Sequence, residues 1–191
     1  MILLGVTGSI AAYKAVDVLR LLVKGGQDVH VVMTPAATKF VGPLTFQGLS
    51  GHPVFSDALD PQAYQMTHLS LAEKAEIILV APASADSLSQ MARGGAQDLV
   101  SACVLSVPRT SAGKLKTPVF LAPAMHESMW LHPATQANVK TLKSYGYRFV
   151  GPEKGDLGRA GDSGLGRMTE PAQIVQTILS SSRKRGSMDS R

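Results

Sequence analysis

The chain opens on the apolar run "MILLGV" (1–6), which predicts a short buried strand. "TGS" breaks the run. "IAAYKAVDVLRLLVKGG" follows, with Ile10, Val16, Leu19 and Val23 at near-helical spacing and Lys14, Asp17, Arg20 and Lys24 falling largely elsewhere. Gly25 and Gly26 stop this helix. "DVHVVMT" (28–34) is β-branched and polar in its interior only at His30, so it predicts a second strand. A βαβ unit of this kind joins parallel strands through a right-handed crossover.

The pattern recurs. "AEIILVAPAS" (75–84) and "TPVFLAPAM" (117–125) predict buried strands with polar, proline-containing exits, separated by a helical stretch that reaches Ser101 to Leu105. "PATQANVKTLKSYG" predicts an amphipathic helix opened by Pro133 and closed by Gly146. "YRFVGP" is a last strand, and "EPAQIVQTILSSS" a terminal helix with Pro171 in its first turn. Strands that are apolar on both faces and alternate with helices predict an α/β fold with a mostly parallel sheet between helical layers. No internal repeat or interdomain linker interrupts it. The expectation is one domain over residues 1–181 and a flexible basic tail over 182–191.

Composition sharpens this only in part. With 191 residues, 45% hydrophobic and 17% charged, the chain has enough apolar content for a core and is not of the disordered class. The net charge of +5 raises the question of nucleic acid, but much of the excess sits in "SSRKRGSMDSR". No basic–aromatic stripe accompanies it, so no nucleic-acid partner is expected. The single cysteine, Cys103, excludes an intrachain disulfide and suits a reducing, cytoplasmic setting. The apolar start is too short for a signal peptide, and no run is long enough to span a membrane.

In such folds ligands bind beyond the carboxyl ends of the strands. Four exits there are polar: "TGSI" (7–10), "MTPAAT" (33–38), "APASADS" (81–87) and "APAMHESMW" (122–130). "GVTGSIAAYK" lacks both the dinucleotide fingerprint and the GK[ST] of a P-loop. Gly8, Ser9 and the free N–H groups of a helix start can bind an anion, or Ser9 can simply cap the helix. Thr34, Ser84 and Ser87 are each caps when taken alone. Together these hydroxyl-bearing exits can surround a phosphorylated planar ligand. The five histidines (30, 52, 68, 126, 132) lack HxxxH spacing and Cys103 has no partner, so no metal site is expected. His68 is either a satisfied surface histidine or a proton acceptor, and periodicity does not separate the two. "GDLGRAGDSGLGRM" (155–168) can be a phosphate cradle, a lid or a plain loop.

The segments "GVTGSIAAYKAVDVLRLL", "VVMTPAATKFV", "HLSLAEKAEIILVAPASADSLSQMARG", "APAMHESMWLHPATQANVKTL" and "GDSGLGRMTEP" occur in this order. Together they resemble the flavin-dependent cysteine decarboxylases. That family includes 4'-phosphopantothenoylcysteine decarboxylases of coenzyme A biosynthesis and peptidyl-cysteine decarboxylases of lantibiotic maturation. The resemblance covers the chain to about residue 180. It implies a Rossmann-like (flavodoxin-like) three-layer sandwich, FMN as cofactor, and a homo-oligomer, trimeric or dodecameric, with flavin between subunits.

By the same resemblance, Gly8, Ser9 and Ile10 form a phosphate-binding turn and Thr34 a second hydroxyl exit. Ala83, Ser84, Ala85 and Asp86 match the flavin-contacting motif, and Ala124 and Met125 the edge of the same site. His68 falls on the active-site histidine. His126, Met129, Ala160, Gly161, Asp162, Arg167 and Met168 fall on the substrate side. The implied chemistry oxidises a cysteinyl thiol toward a thioaldehyde, whose carbon–sulfur double bond accepts the electrons left when carbon dioxide departs.

The chain departs from the family pattern at several positions. His126 stands where asparagine is usual, Asp86 replaces the asparagine of the flavin motif, and the "DN" after the following helix reads Gln97–Asp98. The cysteine expected in the flap is Ala160. The expected function is decarboxylation of 4'-phosphopantothenoylcysteine to 4'-phosphopantetheine. The alternatives are oxidative decarboxylation of a C-terminal peptidyl cysteine, or a non-catalytic FMN-binding regulatory subunit. Residues 155–168 are then expected to be a mobile flap.

Overall fold

A computed structural model describes residues 1–57 and 68–186. Five parallel strands form the central sheet: β1 (Ile2–Val6), β2 (Val29–Met33), β3 (Ile77–Ala83), β4 (Val119–Pro123) and β5 (Arg148–Phe149). Their order is β2-β1-β3-β4-β5, with Ile2 opposite both Val29 and Ile77. This is the expected α/β sandwich. β1, β3 and β4 are buried at every position because helices cover both faces. β5 is shorter than "YRFVGP" suggested, pairing only through Arg148 and Phe149.

Alternation along the strands sorts the core into two layers. Ile2, Leu4, Val6, Leu79 and Ala122 face a layer with α1 (Ala12–Lys24), α2 (Pro43–Ser50) and α8 (Pro171–Gly186). Leu3, Ile78, Val80 and Leu121 face the other layer. That layer holds α3 (His68–Lys74), α4 (Ala85–Ala92), α5 (Leu99–Leu105) and α7 (Pro133–Ser144). The helical stretch expected after β3 is therefore two helices, the second opened by a capping box between Asp98 and Ser101. α8 continues five residues past the expected boundary at 181.

The stripe expected on α1 is displaced. Ala12, Ala15, Val18, Leu19 and Leu22 are its buried residues, whereas Ile10 is 57% and Val23 37% exposed. Ala12 and Ala15 share the buried face with Val18, Leu19 and Leu22, and that face is turned so that Ile10 and Val23 fall outside it. Cys103 lies in the core on α5, and burial pushes its thiol up to about 12, with Asp98 adding to the shift.

The strand exits are stitched together by Thr7. Its buried hydroxyl donates to the Pro82 carbonyl at 2.7 Å and accepts from the Ser84 N–H at 2.9 Å. Gly8 completes the close approach of the exits, since a Cβ there would stand 2.7 Å from the Cβ of Ala36.

Residues 155–168 fold into something the pattern of polar and small residues did not announce. β6 (Glu153–Asp156) and β7 (Ser163–Arg167) pair antiparallel as a hairpin. The hairpin is tied to the exit of β4. The Met125 N–H donates to the Gly166 carbonyl at 3.0 Å, and the Leu165 N–H donates to Glu127 Oε1 at 2.7 Å. Gly166 has φ 154°, and a Cβ there would collide with the Met125 carbonyl oxygen. The expected mobile flap is thus a hairpin with pinned legs, whose exposed residues lie mainly at the tip, Gly158–Gly161.

The fold also assembles a group that sequence spacing did not suggest. Asp28, His30 and His52 meet at the amino-terminal end of β2. Among the described residues no helix is long and apolar enough to cross a membrane.

Two outcomes test these contacts. Thr7→Val strips partners from two backbone groups and is expected to lower unfolding free energy by about 2–3 kcal/mol, read from the urea midpoint at unchanged m-value. Gly166→Ala unseats the hairpin and is expected to speed tryptic cleavage after Arg159 several-fold. A cleavage rate equal to that of the parent would mean the docking is not what restrains the tip.

Candidate active site

A cavity of about 880 Å³ opens at the carboxyl end of the sheet, on the α1 side. Its floor is the turn after β1, Ser9 to Ala11, and the first turns of α1 with Tyr13 and Lys14. Its far wall is the exit of β4 with Ala124, Met125 and His126. The hairpin supplies the rest through Asp156 to Arg159 and Gly166 to Met168. The hairpin spans the cavity: Gly158 sits where a side chain would strike the Cδ1 of Ile10.

The floor suits an anion. Ala11 caps α1 without a side-chain hydrogen bond, and the Ser9 hydroxyl accepts from the Ala11 N–H at 3.2 Å. Among the described residues, the N–H groups of Gly8, Ser9 and Ile10 have no acceptor. Three unpaired amides before a 13-residue helix form an electropositive cradle. This is the observation by which the chain fits a phosphorylated cofactor.

The walls carry both signs of charge. Lys14 Nζ reaches Glu170 Oε1 at 3.0 Å, and Arg167 pairs with the same carboxylate. The hydrogen bond from Lys14, with the neighbouring Arg167 charge, holds the Glu170 carboxyl below its ordinary value. His126 caps the short helix α6 (Glu127–Trp130) by accepting from the Ser128 N–H at Nδ1, 3.2 Å away. A neutral His126 therefore carries its proton on Nε2. That nitrogen faces Asp162 Oδ2 of the hairpin at 3.5 Å.

Of the residues singled out in the sequence, Ser9, Ile10, Ala124, Met125, His126, Arg167 and Met168 line this cavity. Asp162 sits against it through His126. Thr34 is buried and caps the turn that follows by accepting from the Ala37 N–H. Ser84 caps α4 and bonds Ser87, and Asp86 accepts from Gln90 Nε2 at 2.8 Å. Thr34 and Ala83 to Asp86 thus frame neighbouring exits rather than this wall. Met129 is 49% exposed, and Ala160 and Gly161 lie at the exposed hairpin tip. His68 begins α3 on the opposite face of the sheet, half-buried and not in the cavity wall.

Sequence reasoning missed Tyr13, Lys14, Asp156, Arg159 and Glu170, which line the cavity. Lys14, a charged residue off the apolar stripe on the first turn of α1, was the available signal. Asp156 and Arg159 belong to the hairpin, which had no periodic signature.

The Flavoprotein family model matches residues 1–183. The chain is 45% identical over 178 residues to the coenzyme A biosynthesis bifunctional protein CoaBC of Haemophilus influenzae, covering 93% of this chain and 42% of that protein. It thus spans less than half the length of the bifunctional relatives it matches. It is 43% identical over 180 residues to the "Probable phosphopantothenoylcysteine decarboxylase" of Streptococcus mutans, covering 93% of this chain and 96% of that one. Among solved structures, it resembles a cysteine-to-serine mutant of PPC decarboxylase complexed with pantothenoylaminoethenethiol. The TM-score is 0.78 at 27% identity, over 93% of this chain and 95% of that one. The FMN-dependent cysteine decarboxylase SpaF gives a TM-score of 0.72 at 29% identity, over 94% and 96% of the two chains. With a family match that runs from the first residue through most of α8, the chain belongs to the Flavoprotein family.

Proposed function

We propose that the chain is an FMN-dependent decarboxylase of a cysteinyl carboxylate, acting on 4'-phosphopantothenoylcysteine to give 4'-phosphopantetheine. The observation that carries this reading is the single cavity that joins the turn after β1 to a wall bearing His126, Arg159 and Arg167. The relatives named as coenzyme A enzymes support the substrate.

In this reading the amides of Gly8, Ser9 and Ile10 hold the FMN phosphate, and the exits at Ala83 to Asp86 and Ala124 to Met125 border its ring. When bound, FMN supplies two-electron redox chemistry, which turns a saturated thiol carbon into an electron sink. The protein's part is to place the carboxylate and manage protons. The Nε2–H of His126 donates to the substrate carboxylate, with Arg159 and Arg167 adding positive charge to the same wall. The hairpin with Asp162 limits water around these groups, which strengthens each interaction. His68 accepts the thiol proton. Because α3 lies across the sheet from the cavity wall, His68 serves the cavity of a neighbouring copy, which makes the working unit a homo-oligomer.

A second reading is favoured by one observation. The hairpin tip carries Ala160, and Cys103 is a core thiol held protonated. Without a thiol acid at the tip the reaction can end at the enethiol, as suits oxidative decarboxylation of a peptide ending in cysteine.

The test is anaerobic incubation of FMN-loaded protein with phosphopantothenoylcysteine and, separately, with a peptide ending in cysteine, followed by mass detection. Loss of carbon dioxide from the first substrate is the expected result. An oxidised product from the peptide alone supports the second reading, and release from neither sinks both. His68→Asn is expected to keep the flavin absorbance and lose turnover by roughly 10²–10⁴-fold.

A further inference from the structure

Asp28, His30 and His52 converge far from the cavity, and nothing in the proposed reaction uses them. Asp28 precedes β2, His30 is its second residue, and His52 follows α2. Asp28 Oδ1 lies 2.8 Å from His52 Nε2 and 3.6 Å from His30 Nε2. All three ligand atoms fall within 4.8 Å of one another.

We propose that these side chains form a binding site for a divalent cation of the zinc class. The ligands are Nε2 of His30, Nε2 of His52 and Oδ1 of Asp28, with water completing a four-coordinate shell. Two imidazoles and one carboxylate suit a borderline transition metal rather than magnesium or calcium. The spacing agrees. A tetrahedral ion with ligands at about 2.0–2.1 Å sets neighbouring donor atoms about 3.3–3.4 Å apart, and the two measured separations, 2.8 and 3.6 Å, bracket that value.

The two ring nitrogens of His30 stand differently. Its Nδ1 is buried with no partner among the described residues. Its Nε2 stands 3.6 Å from Asp28, beyond hydrogen-bond length. An ion on Nε2 would give that nitrogen a partner and would leave Nδ1 as it is. The two rings stack with centroids 4.0 Å apart, so one must splay to bind. The half-exposed His52, on the chain leaving α2, has the room.

Location gives the site a purpose. β2 is an edge strand, and its outer side is covered by the segment after His52. Phe55 bridges to Val32, and its carbonyl accepts from the Met33 N–H at 2.9 Å. An ion joining His52 to β2 would clamp that cover at its start, protecting the sheet edge.

Tag-free protein stripped with chelator is expected to take up one equivalent of Zn²⁺ by calorimetry and to gain thermal stability as Zn²⁺ rises. Co²⁺ in its place is expected to show the visible absorption of a four-coordinate ion. His52→Ala and Asp28→Asn, both surface changes checked for intact fold by circular dichroism, should each weaken uptake by at least the roughly 10–100-fold that loss of an outer-shell partner costs. His132→Ala should bind as the parent does. No Zn²⁺ uptake, or uptake that survives both variants at full affinity, overturns the proposal.

Discussion

One side chain couples the sheet to its chemistry. Thr7 follows β1, and its hydroxyl holds two backbone groups of a segment more than seventy residues away in sequence. Without that bond the turn after β1 and the exit of β3 are separate loops. With it they form one rigid rim, and Gly8 can press against Ala36 because the rim leaves no room for a side chain. The three unpaired amides of Gly8 to Ile10 sit on this frame at the start of α1.

The sheet and the carboxyl-end location of the site were legible because both follow from apolar periodicity. A strand buried on two faces can hardly be written otherwise than as "IILVAPA" or "VFLAP". α1 was legible as a helix but not as a surface. Ala12 and Ala15 are buried beside Val18, Leu19 and Leu22 while Val23 is partly exposed, and alanine carries too little apolar signal to mark which face turns inward. At Ser9–Ile10 the sequence left an anion turn and a helix cap open, and it could not show that Ser9 accepts from Ala11 while the amides before it stay unpaired.

The hairpin and the histidine cluster were not legible, for different reasons. β6 and β7 read Glu-Lys-Gly-Asp and Ser-Gly-Leu-Gly-Arg, with no alternation to register. Their strands are specified by tertiary hydrogen bonds from Met125 and to Glu127, which no local pattern encodes. Asp28 and His52 are separated by twenty-four positions and an intervening helix, so a search for ligand spacing passes over them. Both cases show contact made by topology and not by period.

The exposed tip of the hairpin separates two kinds of constraint. Gly164 and Gly166 are bound by steric necessity, and a change there is felt by the fold. Ala160 is exposed, and its substitution removes no core contact. The needs of folding therefore weigh little on position 160, which is free to change on other grounds, whereas 164 and 166 are not.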